Sequence, residues 1–145
     1  MRKHIIAFWF FSIAMMILSG CAPPTANVVR ELGSKSQYIF EAEDNYQPVY
    51  NKILNQAQKC FEVRKFSTEF VVRGDLYNET KYGTVEVVLY GILAADTYQV
   101  IDIYAVDDNN TLIIGYYSLG QTDKYGPVLK EWVLDNSAEC VSKKK

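Results

Sequence analysis

The chain has 145 residues, enough for one domain, and a formal net charge of −2 that gives no electrostatic basis for nucleic-acid binding. Its single histidine is residue 4, so the rest of the chain lacks the imidazole of Ser–His or Cys–His nucleophile pairs and of mixed zinc sites. The eight glycines are scattered and form no phosphate-binding loop. We therefore expect no catalytic residues, no metal and no cofactor.

A short export signal is the first predicted element. The basic residues Arg2 and Lys3 precede an apolar run of 14 residues (5–18), which is shorter than the roughly 20 residues of a membrane-spanning helix. The run ends in the sequence Leu18-Ser19-Gly20-Cys21. This sequence resembles the lipobox of bacterial lipoprotein precursors, in which Cys21 stands at the position of the invariant lipid acceptor.

The resemblance implies that residues 1–20 are removed as a signal peptide and that Cys21 carries a diacylglyceryl group and an N-terminal acyl chain such as palmitate. Several acyl chains on one residue anchor a protein almost permanently, since each buried methylene contributes about 0.8 kcal/mol. Ala22 stands where the family's inner-membrane retention signal has Asp, so the resemblance implies an outer-membrane lipoprotein that faces the periplasm. Inner-membrane retention, display at the cell surface, an ordinary signal peptide and an uncleaved anchor stay open as alternatives.

A mature chain that starts at Cys21 would carry 13 basic and 17 acidic side chains. Residues 21–36 include Pro23 and Pro24 and show little periodicity, which predicts an extended tether between membrane and domain. Residues 37–40 are either a short strand or the end of this tether. A single domain is predicted over residues 37–145.

Two amphipathic helices are predicted, one at each end of this domain. The first starts at Asp44, which stands in capping-box spacing with Gln47. Its apolar stripe repeats at the helical period: Tyr46, Val49, Tyr50, Ile53, Leu54, Ala57 and Cys60. The second begins at Thr122 or Asp123, and its stripe is Tyr125, Val128, Leu129, Trp132 and Val133.

Four β-strands are predicted between the helices, because four runs alternate in period two: 68–73, 85–90, 100–105 and 112–117. Short turns separate them and favour an antiparallel meander. The predicted fold class is α+β, a four-stranded antiparallel meander with an N-terminal and a C-terminal helix packed on one face. The side chains expected to face the helices are the alternating sets that begin at Phe70, Val87, Ile101 and Leu112. The arrangement is similar to the helix-grip architecture of outer-membrane assembly lipoproteins, in architecture alone.

A disulfide between Cys60 and Cys140 is predicted, because an oxidising envelope compartment favours pairing of the two cysteines left after lipidation of Cys21. The predicted topology opposes it. Two antiparallel helices of about 17 residues would place the cysteines up to ~25 Å apart, whereas bridged Cα atoms lie within about 7 Å. Either the helices run roughly parallel, through residues 61–67 or an extra strand, or the cysteines are two buried free thiols.

The sheet face away from the helices is the predicted functional surface, since it collects tyrosine and β-branched residues around Arg73, Glu86 and Asp102. Tyrosine buries a large ring while keeping a hydroxyl for water or a partner. The candidate partner-binding residues are Val88, Tyr90, Val100, Tyr104 and Tyr117. The alternative is that β-strands simply favour such residues, which stabilise the sheet in cross-strand pairs.

These observations predict a non-catalytic lipoprotein that acts as a binding or accessory module for an envelope protein complex. It is attached to the membrane by the lipid on Cys21 and has no nucleic-acid partner. The alternative is a carrier of a small ligand or lipid, with a cavity between sheet and helices. A hydrolase that uses Glu86 and Asp102 is a third hypothesis, disfavoured by the missing histidine and the lack of any catalytic motif.

Overall fold

The computed structural model describes residues 24–34, 36–62, 64–65, 68–118, 121–135 and 140. The predicted signal peptide and Cys21 lie outside these residues. The described chain forms three helices and six strands, with these bounds in chain order: α1 Ala26–Gly33, β1 Tyr38–Ala42, α2 Tyr46–Phe61, β2 Arg64–Lys65, β3 Thr68–Tyr77, β4 Tyr82–Tyr90, β5 Ala95–Ala105, β6 Thr111–Tyr117 and α3 Thr122–Leu134.

One antiparallel sheet contains all the described strands, in the spatial order β1-β6-β5-β4-β3-β2. The α+β class is confirmed, but the predicted four-stranded meander is wrong. β3 to β6 do follow one another across the sheet, while β1 adds a fifth full strand beside β6 and β2 adds a two-residue pairing at the other edge. The β1 pairing joins Phe40 to Ile113, and such a distant pair leaves no local turn signal in the sequence.

Helix α1 packs against β5 and β6, on the sheet face opposite α2 and α3. Val29 and Gly33, one turn apart, are its buried residues, and a Cβ added to Gly33 would lie 3.3 Å from Tyr116 Cβ. A helix therefore stands where an extended tether is predicted over Ala26–Gly33. The two prolines favour extended chain only up to Pro24, and the residues after them have ordinary helix propensity.

Helices α2 and α3 cover the other sheet face and enclose the main core. α2 starts after Asn45, not at Asp44, because the Asn45 side chain caps it by accepting a hydrogen bond from the Gln47 N–H at 3.0 Å. The buried core residues come from both helices and five strands: Phe40, Ala42, Tyr46, Val49, Tyr50, Ile53, Ala57, Val72, Val85, Val87, Ile101, Ile103, Ile113, Leu129, Trp132 and Val133.

The strand faces agree with the prediction for β3, β4 and β5 and differ for β6. Val72, Val87 and Ile101 lie in the main core, as expected for their sets. In β6 the core residue is Ile113, whereas Leu112 was expected there. Both alternating sets of β6 are largely apolar, so the hydrophobic pattern could not determine which set faces the helices.

A disulfide joins Cys60 to Cys140, with Cα atoms 5.3 Å apart, and this prediction is confirmed. Cys60 lies in the last turn of α2, as expected. α3 ends at Leu134, however, so Cys140 is not at the end of a helix, where it was predicted to lie. Five residue steps from Asp135 to Cys140 can span up to about 17 Å. The end of α2 is within this reach, because the ring centroid of Phe61, next to Cys60, lies 6.3 Å from that of Trp132 near the end of α3.

Gly126 allows α3 to approach β1 closely. A Cβ at this position would lie 2.9 Å from Tyr38 Cβ and nearer still to the ring. Gly126→Ala is therefore expected to lower the free energy of unfolding by about 1–3 kcal/mol, because overpacking outweighs the gain in helix propensity. Urea unfolding measures the change, with Gly91→Ala as the control, whose Cβ would meet the Ala94 carbonyl oxygen at an ordinary 3.5 Å. A stabilised Gly126→Ala variant would contradict this packing argument.

Candidate functional site

The residues predicted to bind a partner do not form one surface. Val88 and Val100 are 5% and 0% exposed and lie on the sheet face that carries α1. Tyr117 is 3% exposed and lies on the opposite face, where its ring stacks on Tyr125 of α3 with ring centroids 6.0 Å apart. Tyr90 and Tyr104 keep partly exposed side chains. Of the five predicted residues, Tyr90 and Tyr104 alone are accessible, so a binding surface on this protein has to include other residues as well.

A row of tyrosines crosses the sheet face that carries α1. The strand registers pair Tyr77 with Tyr82, and Tyr82 with Tyr104. The rings of Tyr77 and Tyr82 are stacked with centroids 5.7 Å apart, and the centroids of Tyr82 and Tyr104 are 4.9 Å apart. The same register continues through Leu112 to Glu41 at the β1 edge. We refer to Tyr77, Tyr82 and Tyr104 as the tyrosine row.

The two outer residues of the tyrosine row are accessible, and the middle residue is partly buried. Tyr77 is 50% exposed and Tyr104 is 38% exposed, whereas Tyr82 is half-buried between them. Cross-strand pairing fixes the backbone of all three residues, and contact between the rings restricts their side chains. Because these rings are already ordered, a partner that covers them would pay little conformational entropy.

An ion pair behind the tyrosine row ties α1 to the sheet. Asp102, which is 1% exposed, accepts hydrogen bonds from Arg30 Nε at 2.8 Å and from Arg30 Nη2 at 2.7 Å. The Tyr82 hydroxyl donates to the same carboxylate at 2.7 Å, and Arg30 Nη2 also donates to Thr84 Oγ1 at 3.1 Å. Both oxygens of Asp102 are therefore occupied, so this carboxylate is not placed as a free general base.

The electrostatics of this site keep Tyr82 and Tyr104 neutral at physiological pH. The hydrogen bond to Asp102 raises the pKa of Arg30 above its ordinary value, against the opposing effect of burial. Burial, and then the hydrogen bond to Asp102, raises the pKa of Tyr82 above its ordinary 10.0. Burial also raises the pKa of Tyr104. These two residues can therefore offer hydroxyl groups and ring faces to a partner, but no phenolate nucleophile.

An apolar cavity of about 400 Å³ lies beside α1, at the opposite end of the sheet from the tyrosine row. Its lining residues come from α1, the strand ends and the chain before α1: Pro24, Val29, Leu32, Ser36, Leu89, Asp96, Thr97, Tyr98, Tyr117 and Ser118. The Thr97 N–H donates a 2.9 Å hydrogen bond to the Pro24 carbonyl and so holds the chain at the cavity wall. The space between the sheet and α2 and α3, where a cavity was predicted, is occupied by the main core.

In the part of the chain that the structure describes, no three His, Cys, Asp or Glu side chains converge on a point where they could hold a metal ion. None of the helices in that part is both long and apolar enough to cross a bilayer. The chemistry that the described residues do offer is ring contact, hydrogen bonding and apolar burial.

The hydroxyl of Tyr117 is buried without a hydrogen-bond partner among the described residues, and burial raises its pKa above 10.0. In the unfolded chain this phenol ionises near pH 10, while in the folded chain it stays neutral. The free energy of unfolding is therefore not reduced by this phenol below pH 10. It falls as the pH rises above 10, because there the unfolded chain gains the ionised form and the folded chain does not. We expect Tyr117→Phe to lose stability less steeply above pH 10 and to match or exceed the wild type at pH 7. Urea midpoints across this pH range measure the effect, with exposed Tyr77→Phe as control, and equal slopes would contradict it.

Sequence reasoning missed Tyr77, Tyr82 and Arg30. The two tyrosines flank the turn at residues 78–81 symmetrically, so hairpin spacing could have predicted their pairing. The predicted strands instead ended at residue 73 and began at residue 85. Arg30 carries no such signal, since its partner Asp102 is distant in sequence and α1 itself was not predicted.

Comparison with known proteins adds no further residue to this site. No protein-family model matches the chain, and a search of the curated proteins finds no match.

Proposed function

We propose that this chain is a lipid-anchored, periplasm-facing lipoprotein of the outer membrane that acts as a non-catalytic binding module for an envelope protein partner. The tyrosine row is the docking surface in this proposal. One observation carries it: three cross-strand tyrosines stand in ring contact on one sheet face and leave Tyr77 and Tyr104 exposed.

The composition of this surface supports protein docking over a purely structural role. Tyrosine is enriched at the energetic centres of protein interfaces, because one ring supplies a large apolar area together with a hydrogen-bonding group. Charged groups lie at the border of the row: Glu41 lies beyond Tyr104 in the same register, and Lys81, which pairs with Asp108, is next to Tyr82 in the chain. An aromatic centre with a charged rim is the usual arrangement of such interfaces.

The anchor part of the proposal comes from the lipobox at Cys21. Pro24 lies at the cavity wall and α1 begins at Ala26, so three residue steps, up to about 11 Å, separate the predicted lipid from the packed domain. An anchor this short would hold the domain against the membrane surface, within reach of membrane-embedded partners.

In-cell photo-crosslinking tests the docking surface. A photoreactive residue in place of Tyr77 or Tyr104 is expected to give a discrete adduct of higher mass, identifiable by mass spectrometry. The matched controls are Asn55 and Lys130, exposed positions on α2 and α3 at the other sheet face, and these are expected to give none. Equal labelling from all four positions, or none from the tyrosine row, would overturn the docking surface.

Membrane fractionation tests the anchor independently. The wild-type chain is expected in the outer-membrane fraction, released by detergent but not by high salt, because acyl chains are held by the hydrophobic effect. Cys21→Ser is expected to keep its signal, incorporate no labelled palmitate and lose this location. Palmitate incorporation by the Cys21→Ser variant would exclude Cys21 as the lipid site.

The apolar cavity favours a second candidate function, the binding of a single acyl chain. Its volume of about 400 Å³ lies within the usual range of small-ligand sites. Asp96 is the only charged residue among the described lining residues, which favours an uncharged lipid over a fatty acid carboxylate. Binding of a fluorescent monoacylglycerol is the test. Ser118→Trp, which fills the cavity, should abolish binding, and Asn51→Trp on the exposed side of α2 should not. Equal binding by both variants would exclude the cavity as the site.

A further inference from the structure

Among the described residues, no strand covers the outer edge of β3 along most of its length. β2 pairs only with the start of this strand, Arg64 with Glu69 and Lys65 with Thr68. No other described strand lies on that side of β3. Residues 71–77 therefore present backbone N–H and C=O groups without a strand partner among the described residues. Such an edge is a template for another strand.

The open stretch is complementary to itself about its central residue, Gly74. If a second copy pairs antiparallel with Gly74 opposite Gly74, each Arg73 lies opposite the partner's Asp75. Arg73 and Asp75 are both exposed, on the face that carries α1. In the same register each Val71 lies opposite the partner's Tyr77. Opposite charges, and apolar residues opposite aromatic ones, stabilise antiparallel pairs.

The charges also disfavour the nearest competing registers. Directly opposite residues of antiparallel strands both point their backbone groups toward the partner or both point them away. A change of register must therefore keep residues of the same kind opposite each other. The two nearest alternatives place Arg73 opposite Arg73 or Asp75 opposite Asp75. The first places two guanidinium groups opposite each other, and the second places two carboxylates opposite each other. Like charges directly opposite destabilise a strand pair, so the register centred on Gly74 is selected.

Among the described residues, β2 and the end of α2 border the start of the open stretch. β2 pairs with residues 68 and 69, and Glu62 lines a recess together with Phe70 and Val71, so the partner's Tyr77 would enter beside Glu62. α2 packs over β3 and β4. With strands about 4.8 Å apart, the two copies of α2 would lie about 10 Å apart, which is a normal distance between packed helices. Leu54 of α2 lies over Gly74, 2.8 Å from where a Cβ would stand, so the two Leu54 side chains would meet near the two-fold axis.

We infer that the chain forms a symmetric homodimer in which β3 pairs edge to edge with β3 of a second copy, joining the two sheets into one. The occupant of the open edge is thus a second copy of this chain. The two-fold axis is perpendicular to the sheet, so both tyrosine rows lie on the same face. The two Tyr77 side chains lie beside the seam, by which we mean the line along which the two β3 strands pair. This inference depends neither on the lipid nor on the partner proposed above.

Charge exchange across the seam is the test. Arg73→Asp and Asp75→Arg each place like charges opposite each other twice in the dimer. Each single variant is expected to raise the dimer dissociation constant roughly tenfold or more, because two attractive pairs become repulsive. The double variant Arg73→Asp/Asp75→Arg restores opposite charges and is expected to return the constant to within about threefold of the wild type. Sedimentation equilibrium of the chain as the cell processes it, extracted in a mild non-ionic detergent, measures all four proteins.

The controls separate dimerisation from folding. Lys130→Glu reverses one exposed charge on α3, away from the edge, and is expected to leave the dissociation constant unchanged. Circular dichroism melting shows whether each variant keeps its fold. A chain that stays monomeric up to high micromolar concentration would overturn the inference. Failure of the double variant to restore the dimer, while it melts like the wild type, would overturn it equally.

Discussion

Loss of the Cys60–Cys140 disulfide is expected to lower the free energy of unfolding by about 4 kcal/mol. The bridge closes a loop with a sequence separation of 80 residues, which contains the strands β2 to β6 and α3. In the chain-entropy model a crosslink acts mainly by restricting the unfolded chain, and its effect grows with loop length. This bridge therefore limits the unfolded state of most of the domain.

Guanidinium unfolding with and without reductant measures this contribution. Reduction keeps every side-chain atom, so it isolates the crosslink. The variant Cys60→Ala/Cys140→Ala also removes the packing of Cys60 against the main core and is expected to be slightly less stable than the reduced wild type. The melting temperature should fall by roughly 15 °C in either case. Reductant should have no effect on the double variant, and a loss below about 1 kcal/mol in the reduced wild type would contradict the loop argument.

The strongly periodic segments of this fold could be predicted from the sequence. The stripe from Tyr46 to Ala57 is amphipathic at the helical period, and β4 alternates around Val85 and Val87; both lie where the pattern places them. Local patterning is sufficient there because each segment has one clearly apolar face. Alternation alone did not predict the strand ends, because β3 and β4 extend to Tyr77 and Tyr82 through pairing across the turn, which hairpin spacing signals instead.

The remaining elements depend on contacts between residues distant in sequence. β1 has five residues and pairs with β6 at the far end of the chain, and α1 has eight residues that are ordered against β5 and β6. Neither element is long enough to be stable alone. β6 has two apolar faces, so its orientation was set by packing. Tyr77 and Tyr82 lie beyond the predicted ends of their strands, which is why Tyr104 was the only residue of the tyrosine row that the sequence indicated.

Arg30→Met is expected to lower the free energy of unfolding by about 3 kcal/mol, because it leaves the carboxylate of Asp102 buried without its cation. Asp102 is 1% exposed, so water cannot replace the two hydrogen bonds from Arg30. The Arg30 side chain is 26% exposed and therefore partly solvated. We thus expect a loss in free energy of unfolding at the lower end of the range for buried ion pairs that lose one partner. The loss should appear first in α1, which this ion pair joins to β5.

A double-mutant cycle separates the net energy of the ion pair from the cost of leaving the Asp102 carboxylate without its cation. Arg30→Met/Asp102→Leu removes both charges and is expected to lie within about 1 kcal/mol of the wild type, since apolar replacement of a buried pair is often nearly neutral. Urea unfolding gives the four free energies, and hydrogen exchange of Val29 and Arg30 amides reports detachment of α1. Lys81→Met breaks an exposed pair with Asp108 and is the matched control, expected to be nearly neutral. If Arg30→Met lowered the free energy of unfolding as little as Lys81→Met, Asp102 would have to be accommodated without its cation. The packing of Val29 and Gly33 would then be sufficient to hold α1 on the sheet.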